Sequence, residues 1–244
     1  MGLHAIQVDQ LCKRYGEVLA VDDIAFAVPA GATYALLGGN GAGKTTTLSM
    51  LLGLLLPTSG SVRVLGVDMV KNRFQALPRM NFTSPYVDLP HRLTVGQNLD
   101  IYARLYGVRR RAARIRQLAE HFGLSGLLRR TFGSLSAGQR TRVSLAKSLL
   151  NEPDVLLMDE PTASLDPFTA DQVRTYLRDY QQRTGATILL ASHNMQEVER
   201  LCQEVLIMKQ GRIVDRGTPA ALIAQYGRDT LEQVFIDIAR NTEP

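Results

Sequence analysis

The chain has 244 residues, 45% of them hydrophobic, and a formal net charge of +5. That length suits one large α/β domain with a well-buried core, and the longest apolar stretch, residues 50–56, falls far short of the ~20 residues that cross a bilayer. Residues 1–10 have neither a basic start nor an apolar run, so no signal peptide is expected; Cys12 and Cys202, the only cysteines, suit a reducing compartment and argue against a disulfide scaffold or a zinc site.

In chain order, residues 4–28 alternate apolar and polar side chains around Tyr15-Gly16, which predicts antiparallel strands. Thr33–Leu37 reads as a buried strand, 46–56 as a helix and 61–65 as a short strand. From about Leu93 to Leu128 the chain turns helical, Arg-rich and poor in β-branched residues, as an inserted helical subdomain would. Residues 155–158 and 187–191 are continuous apolar runs of the parallel-strand kind, with helices expected over 166–183 and 194–201. A hairpin (204–209 and 212–216) closes the core, and 219–240 predicts two short amphipathic helices split by Gly227. The expected fold is α/β. A core built on a mostly parallel sheet would carry an N-terminal antiparallel β subdomain and an inserted helical subdomain.

Three motifs carry chemistry. The first is Gly38-Gly39-Asn40-Gly41-Ala42-Gly43-Lys44-Thr45, between the strand and the helix. Its glycines let successive backbone N–H groups point inward at phosphate oxygens. Lys44 would place a charge on the outer phosphates, and the Thr45 hydroxyl can reach a magnesium ion. The helix that follows, through Thr46, would face the anion with its N-terminus. The second motif is the buried run 154–158 ending in Asp159-Glu160. Carboxyl ends of parallel strands lie beside the ligand, so Asp159 would hold the magnesium and Glu160, one residue further out, would act as general base on the attacking water. The third, Leu135-Ser136-Ala137-Gly138-Gln139, is a helix start in which Ser136 and Gln139 can form a capping box and offer an anion site. Alone, this pentapeptide says no more than an ordinary capped helix.

In this order the motifs resemble the nucleotide-binding domain of ATP-binding cassette (ABC) proteins over essentially the whole chain. The resemblance implies an ABC nucleotide-binding domain over 1–217, built on a phosphate-loop NTPase core, its helical subdomain inserted at about 86–150, and a short helical extension over 218–244. It implies that Ser136, Ala137, Gly138 and Gln139 form a signature that packs onto the other subunit's ATP, with Ala137 standing where the family has Gly. It implies that Tyr15 stacks on adenine and that Ser164 and Asp166 belong to a loop crossing the dimer interface. His193 would contact the γ-phosphate and, with Lys44 and Glu160, make up the catalytic set. The family's magnesium-touching Gln falls on Pro85 here (or Ser84), so that link to the membrane partner lacks its amide.

The implied activity is ATP hydrolysis with ATP and Mg2+, by a homodimer or paired ATPase subunits working with separate transmembrane permease subunits at the cytoplasmic face of the membrane. The tail, with Gly217-Thr218-Pro219 and later residues 230–235, resembles exporter ATPases whose membrane subunits are separate chains. A soluble ABC ATPase acting on nucleic acid or ribosomes is the alternative. One cassette, no Trp, and basic residues without interleaved aromatics disfavour it, and no nucleic-acid partner is expected. A binding module without hydrolysis is disfavoured by the intact Lys44, Asp159, Glu160 and His193. The cluster Arg109-Arg110-Arg111, Arg114 and Arg116 reads first as a solvated face, and second as a contact for a membrane subunit or anionic headgroups.

Overall fold

The structure is a computed structural model that describes residues 4–85 and 87–240. The alternating N-terminal segment forms β1 (His4–Tyr15) and β2 (Val18–Pro29), an antiparallel pair turning at Gly16 with φ of 55°. β3 (Thr33–Leu37) leads into α1 (Lys44–Leu51). This helix starts and stops earlier than the apolar run suggested, because Gly53 takes the left-handed φ of 66° and the N–H groups of Leu54 and Leu55 turn back to the Ser49 carbonyl. β4 (Ser59–Val64) and the two-residue β5 (Val67–Asp68) follow, then β6 (Met80–Thr83). The periodicity gave no sign of β5 or β6: each is too short to show a repeat.

The inserted helices are α2 (Val95–Leu105), α3 (Arg111–His121) and α4 (Ala137–Ser148). Thr94 and Gln97 make a capping box at the start of α2. The chain then runs through β7 (Val155–Asp159), α5 (Pro167–Thr184), β8 (Thr187–Ser192), α6 (Met195–Leu201), β9 (Glu204–Lys209) and β10 (Arg212–Gly217). It closes on α7 (Pro219–Tyr226) and α8 (Leu231–Arg240), with Gly227 at φ of 60° ending α7. Among the described residues no helix is long and apolar enough to cross a membrane.

Two sheets result. A four-stranded antiparallel sheet has the order β2-β1-β4-β5, and a six-stranded sheet has the order β10-β9-β3-β8-β7-β6. The second is parallel from β9 to β6, and only the β9–β10 hairpin runs antiparallel. Its central strands β3, β7 and β8 are buried at every residue, which is why they read as unbroken apolar runs. Their side chains still alternate between faces. Leu37, Leu156, Met158, Ile188 and Leu190 join one core with Leu99 of α2, Leu118 of α3, Val143 of α4 and Leu231 of α8. Leu36, Leu157, Leu189 and Leu206 join the other with Leu48 of α1 and Val8 and Val28 of the antiparallel sheet. The inserted helices and the C-terminal helices thus share one core with the sheet.

Candidate nucleotide site

The segment between β3 and α1 curls beneath the β1–β2 hairpin. Gly43 has φ of 100°, and a Cβ there would lie 2.6 Å from the Ala20 carbonyl oxygen. Gly38 is equally constrained: a Cβ would lie 2.6 Å from the Met208 carbonyl oxygen. Glycine is required at both places so that the loop can pass this close to its neighbours. Asn40 and Gly41 are exposed at the tip, and Ala42 is buried beneath it. Lys44 is buried, and its ammonium donates to the loop's own carbonyls, Gly38 at 2.6 Å and Gly39 at 3.1 Å. Burial pushes the Lys44 ammonium below its ordinary pKa, while Glu160 and Asp159 act the other way.

Asp159 ends β7 at 2% exposure. Its Oδ2 accepts from the Thr45 hydroxyl at 3.1 Å. Burial raises the Asp159 carboxyl pKa and the neighbouring Glu160 charge adds to this, against the Thr45 bond and Lys44. A hydroxyl and a carboxylate oxygen at the mouth of a helix N-terminus are hard donors of the kind a small divalent cation takes, and the residues present fit magnesium. Thr46 follows in the first turn of α1, half-buried.

Glu160 leaves the strand in the left-handed region, with φ of 48°, and its N–H donates to the Ala191 carbonyl of β8 at 2.8 Å. This non-glycine αL residue turns the side chain out of the sheet, and strain of this kind clusters at functional sites. Glu160 Oε1 lies 2.6 Å from Nδ1 of His193, which follows β8 directly and is largely exposed. Lys44, Thr45, Asp159, Glu160 and His193 therefore converge at the carboxyl end of the parallel strands. Tyr15 is exposed at the end of β1, with the Lys13 ammonium 5.1 Å over its ring.

Beside this constellation, Ser84, Pro85, Ala137, Thr141, Asp159 and Glu160 line a cleft of about 160 Å³. Ser136 caps α4, and the capping box with Gln139 is present in both directions, at 3.3 Å and 3.1 Å. Gly138 packs on the next loop, where a Cβ would lie 3.0 Å from the Ser164 carbonyl oxygen. Asp166 caps α5 by accepting from the Thr169 N–H at 3.0 Å, and hydrogen bonds from Thr169 hold its carboxyl below the usual range. Among the described residues no hydrogen bond joins the Ser136–Gln139 helix start to the phosphate loop of the same chain.

The reading of the arginine cluster as a solvated face needs correcting at one residue. Arg114 is 8% exposed, pairs with Glu152 at 3.2 Å and donates to the Leu149 carbonyl. Its position on the inward stripe of α3 turns it into the protein. Arg109 and Arg110 stay exposed. Glu197, Thr162 and Lys147 belong to no motif, and their surroundings arise only when distant segments meet.

The ABC transporter family matches residues 21–163. The chain is 36% identical, over 97% of its length, to the probable multidrug ABC transporter ATP-binding protein YbhF of Escherichia coli (strain K12), and spans 42% of that protein. It is 39% identical, over 93% of its length, to the Nod factor export ATP-binding protein I of Paraburkholderia xenovorans (strain LB400), and spans 76% of it. The solved ATP-binding subunit of an ABC transporter matches 97% of this chain, and all of its own, with a TM-score of 0.89 at 26% identity. The phosphate loop, the paired carboxylates and the sheet that presents them thus occur in a chain that belongs to the ABC transporter family.

Proposed function

We propose that this chain is the ATPase subunit of an exporter, peripheral at the cytoplasmic face of the membrane and working with separate membrane subunits. The convergence of Lys44, Thr45, Asp159, Glu160 and His193 carries the reading. Lys44 would release the Gly38 and Gly39 carbonyls and bind the outer phosphates of ATP, with the N–H groups of Gly41, Ala42, Gly43 and Thr46 around them. Thr45 and Asp159 would hold a magnesium ion, which when bound would neutralise phosphate charge. Glu160 would take a proton from water as its oxygen attacks the γ-phosphorus and ADP leaves. His193, now paired with Glu160, would turn to the γ-phosphate, and Tyr15 would stack on the adenine. The division into a domain over 1–217, with its insertion at about 86–150, and an extension over 218–244 belongs to this reading.

Two copies would pair head to tail. The capped N-terminus of α4, from Ser136 to Gln139, would approach the partner's γ-phosphate, with Ser164 and Asp166 crossing beside it. The isolation of this helix start from its own phosphate loop supports a site shared between chains. Mixing two inactive variants, Ser136→Arg and Lys44→Ala, tests this. One of the two composite sites in a mixed dimer keeps both normal residues, so ATPase activity should partly return. If it stays at the level of the separate variants, even in an obligate heterodimer, the result favours a site built within one chain or strict cooperation between both sites. The exporter part is tested by purifying the chain from membranes and identifying what comes with it. Recovery without any membrane protein would count against it.

A further inference from the structure

Glu197 of α6 is 1% exposed. A buried carboxylate is costly unless its oxygens are satisfied. Here Oε1 accepts from the Thr162 hydroxyl at 2.9 Å and Oε2 from the Ser192 hydroxyl at 2.8 Å. Ser192 Oγ also accepts from the Asn194 N–H at 3.0 Å, which leaves its own proton free to point at Glu197. Asn194 caps α6 by accepting from the Glu197 N–H at 3.2 Å. Buried Arg174 supplies opposite charge; burial still raises the Glu197 carboxyl pKa, against the Ser192 and Thr162 bonds.

The two hydroxyls belong to the two segments that carry Glu160 and His193. Thr162 lies on the loop just after Glu160, and Ser192 directly precedes His193. Glu160 in turn touches both ends of the second segment, through its N–H to Ala191 at 2.8 Å and its carboxylate to His193 at 2.6 Å. The contacts close a ring that runs from Glu160 to Thr162, Glu197, Ser192, His193 and back to Glu160. Filling this space with an apolar side chain would cost less than burying a charge. What the carboxylate adds is a fixed distance between the two segments.

We propose that Glu197 is a positioning residue for ATP hydrolysis, fixing the loop after Glu160 to the end of β8 so that the segments carrying Glu160 and His193 keep one spacing while the His193 side chain turns to the nucleotide. It acts through Thr162 and Ser192 and touches no nucleotide itself. The proposal rests on the roles given above to Glu160 and His193. The test compares Glu197→Ala and Glu197→Gln in the full chain, each alone and combined with His193→Ala. Steady-state kcat and KM for ATP are measured alongside thermal melting.

Glu197→Ala should lower kcat at least about tenfold while KM stays within a few-fold, because phosphate binding does not pass through this ring. Glu197→Gln keeps the shape and one acceptor, and should recover part of the loss. In the His193→Ala background the further loss should shrink to about twofold or less, since a pair already broken needs no positioning. An equal loss in both backgrounds, or a rise in KM matching the fall in kcat, would mean plain structural support and overturn the proposal. Normal turnover in Glu197→Ala beside a dead His193→Ala overturns it too, and leaves the catalytic reading standing. Normal turnover in His193→Ala removes both. If Glu197→Ala does not fold, Thr162→Val and Ser192→Ala each delete one bond of the ring and are read by the same criteria.

Discussion

Glu160 is placed by its backbone as much as by its chemistry. Its αL conformation and its bond to Ala191 aim the carboxylate at His193, out of the sheet that buries Asp159 one residue earlier. Glu160→Gln keeps the shape but cannot take a proton from water. Turnover should fall at least about a hundredfold with ATP binding intact, and closed dimers should accumulate with magnesium and ATP in size-exclusion chromatography. Near-normal hydrolysis would show that Glu160 is not the base. Gly43 makes a second point at this scale. At φ of 100°, with the Ala20 carbonyl 2.6 Å from any added Cβ, Gly43→Ala should destabilise the fold. The expected loss is roughly 2 kcal/mol, with nucleotide affinity falling because the loop must shift. A melting temperature equal to the wild type would contradict this.

At the scale of elements, α4 joins the candidate signature at its start to the sheet edge at its end. Lys147, in its last turn, sends its ammonium to the Phe82 carbonyl at 3.3 Å and the Tyr102 ring at 5.4 Å. Burial pushes this Lys down to about 8, from an ordinary value of 10.5. The unfolded chain therefore binds the extra proton between these two pH values. Stability from this group rises with pH across that window, and the penalty is complete below it. Converted at 1.36 kcal/mol per unit, the penalty is of order 3 kcal/mol at neutral pH. Lys147→Met should raise stability at pH 7, and the stability gap between variant and wild type should narrow towards pH 10. Urea unfolding at both pH values checks this, and a gap that does not change with pH would show that burial of this charge is not the cause.

For the molecule as a whole, residues 84 and 85, just after β6, form part of the wall of the cleft beside the candidate nucleotide site. Ser84 is buried and Pro85 is exposed, and both line the cleft that also holds Glu160 and Ala137. Pro85→Gln should leave ATP affinity within a few-fold of wild type, since one neutral hydrogen bond is worth about 1 kcal/mol. Basal ATPase should change modestly, and its stimulation by the proposed membrane subunits should change more. Measuring the rate with and without those subunits separates the two effects. Loss of ATP binding in Pro85→Gln would move this segment into the nucleotide site itself.

Local chemistry made much of this protein legible in one dimension. The phosphate loop, the carboxylate pair at a strand end and the Ser136–Gln139 cap each rest on residues within a few positions of one another, so spacing alone exposes them. The buried strands β3, β7 and β8 were readable because both faces of the sheet are covered, which leaves no polar alternation. The strand order and the joining of α2, α3, α4 and α8 to one core lay beyond such reading, because both depend on contacts between distant segments. The same holds for the inward turn of Arg114, whose partner Glu152 lies past the end of α4. It holds most clearly for Glu197. In sequence it is one acid on a short amphipathic helix, and only the meeting of Thr162 and Ser192 around it turns it into a buried brace.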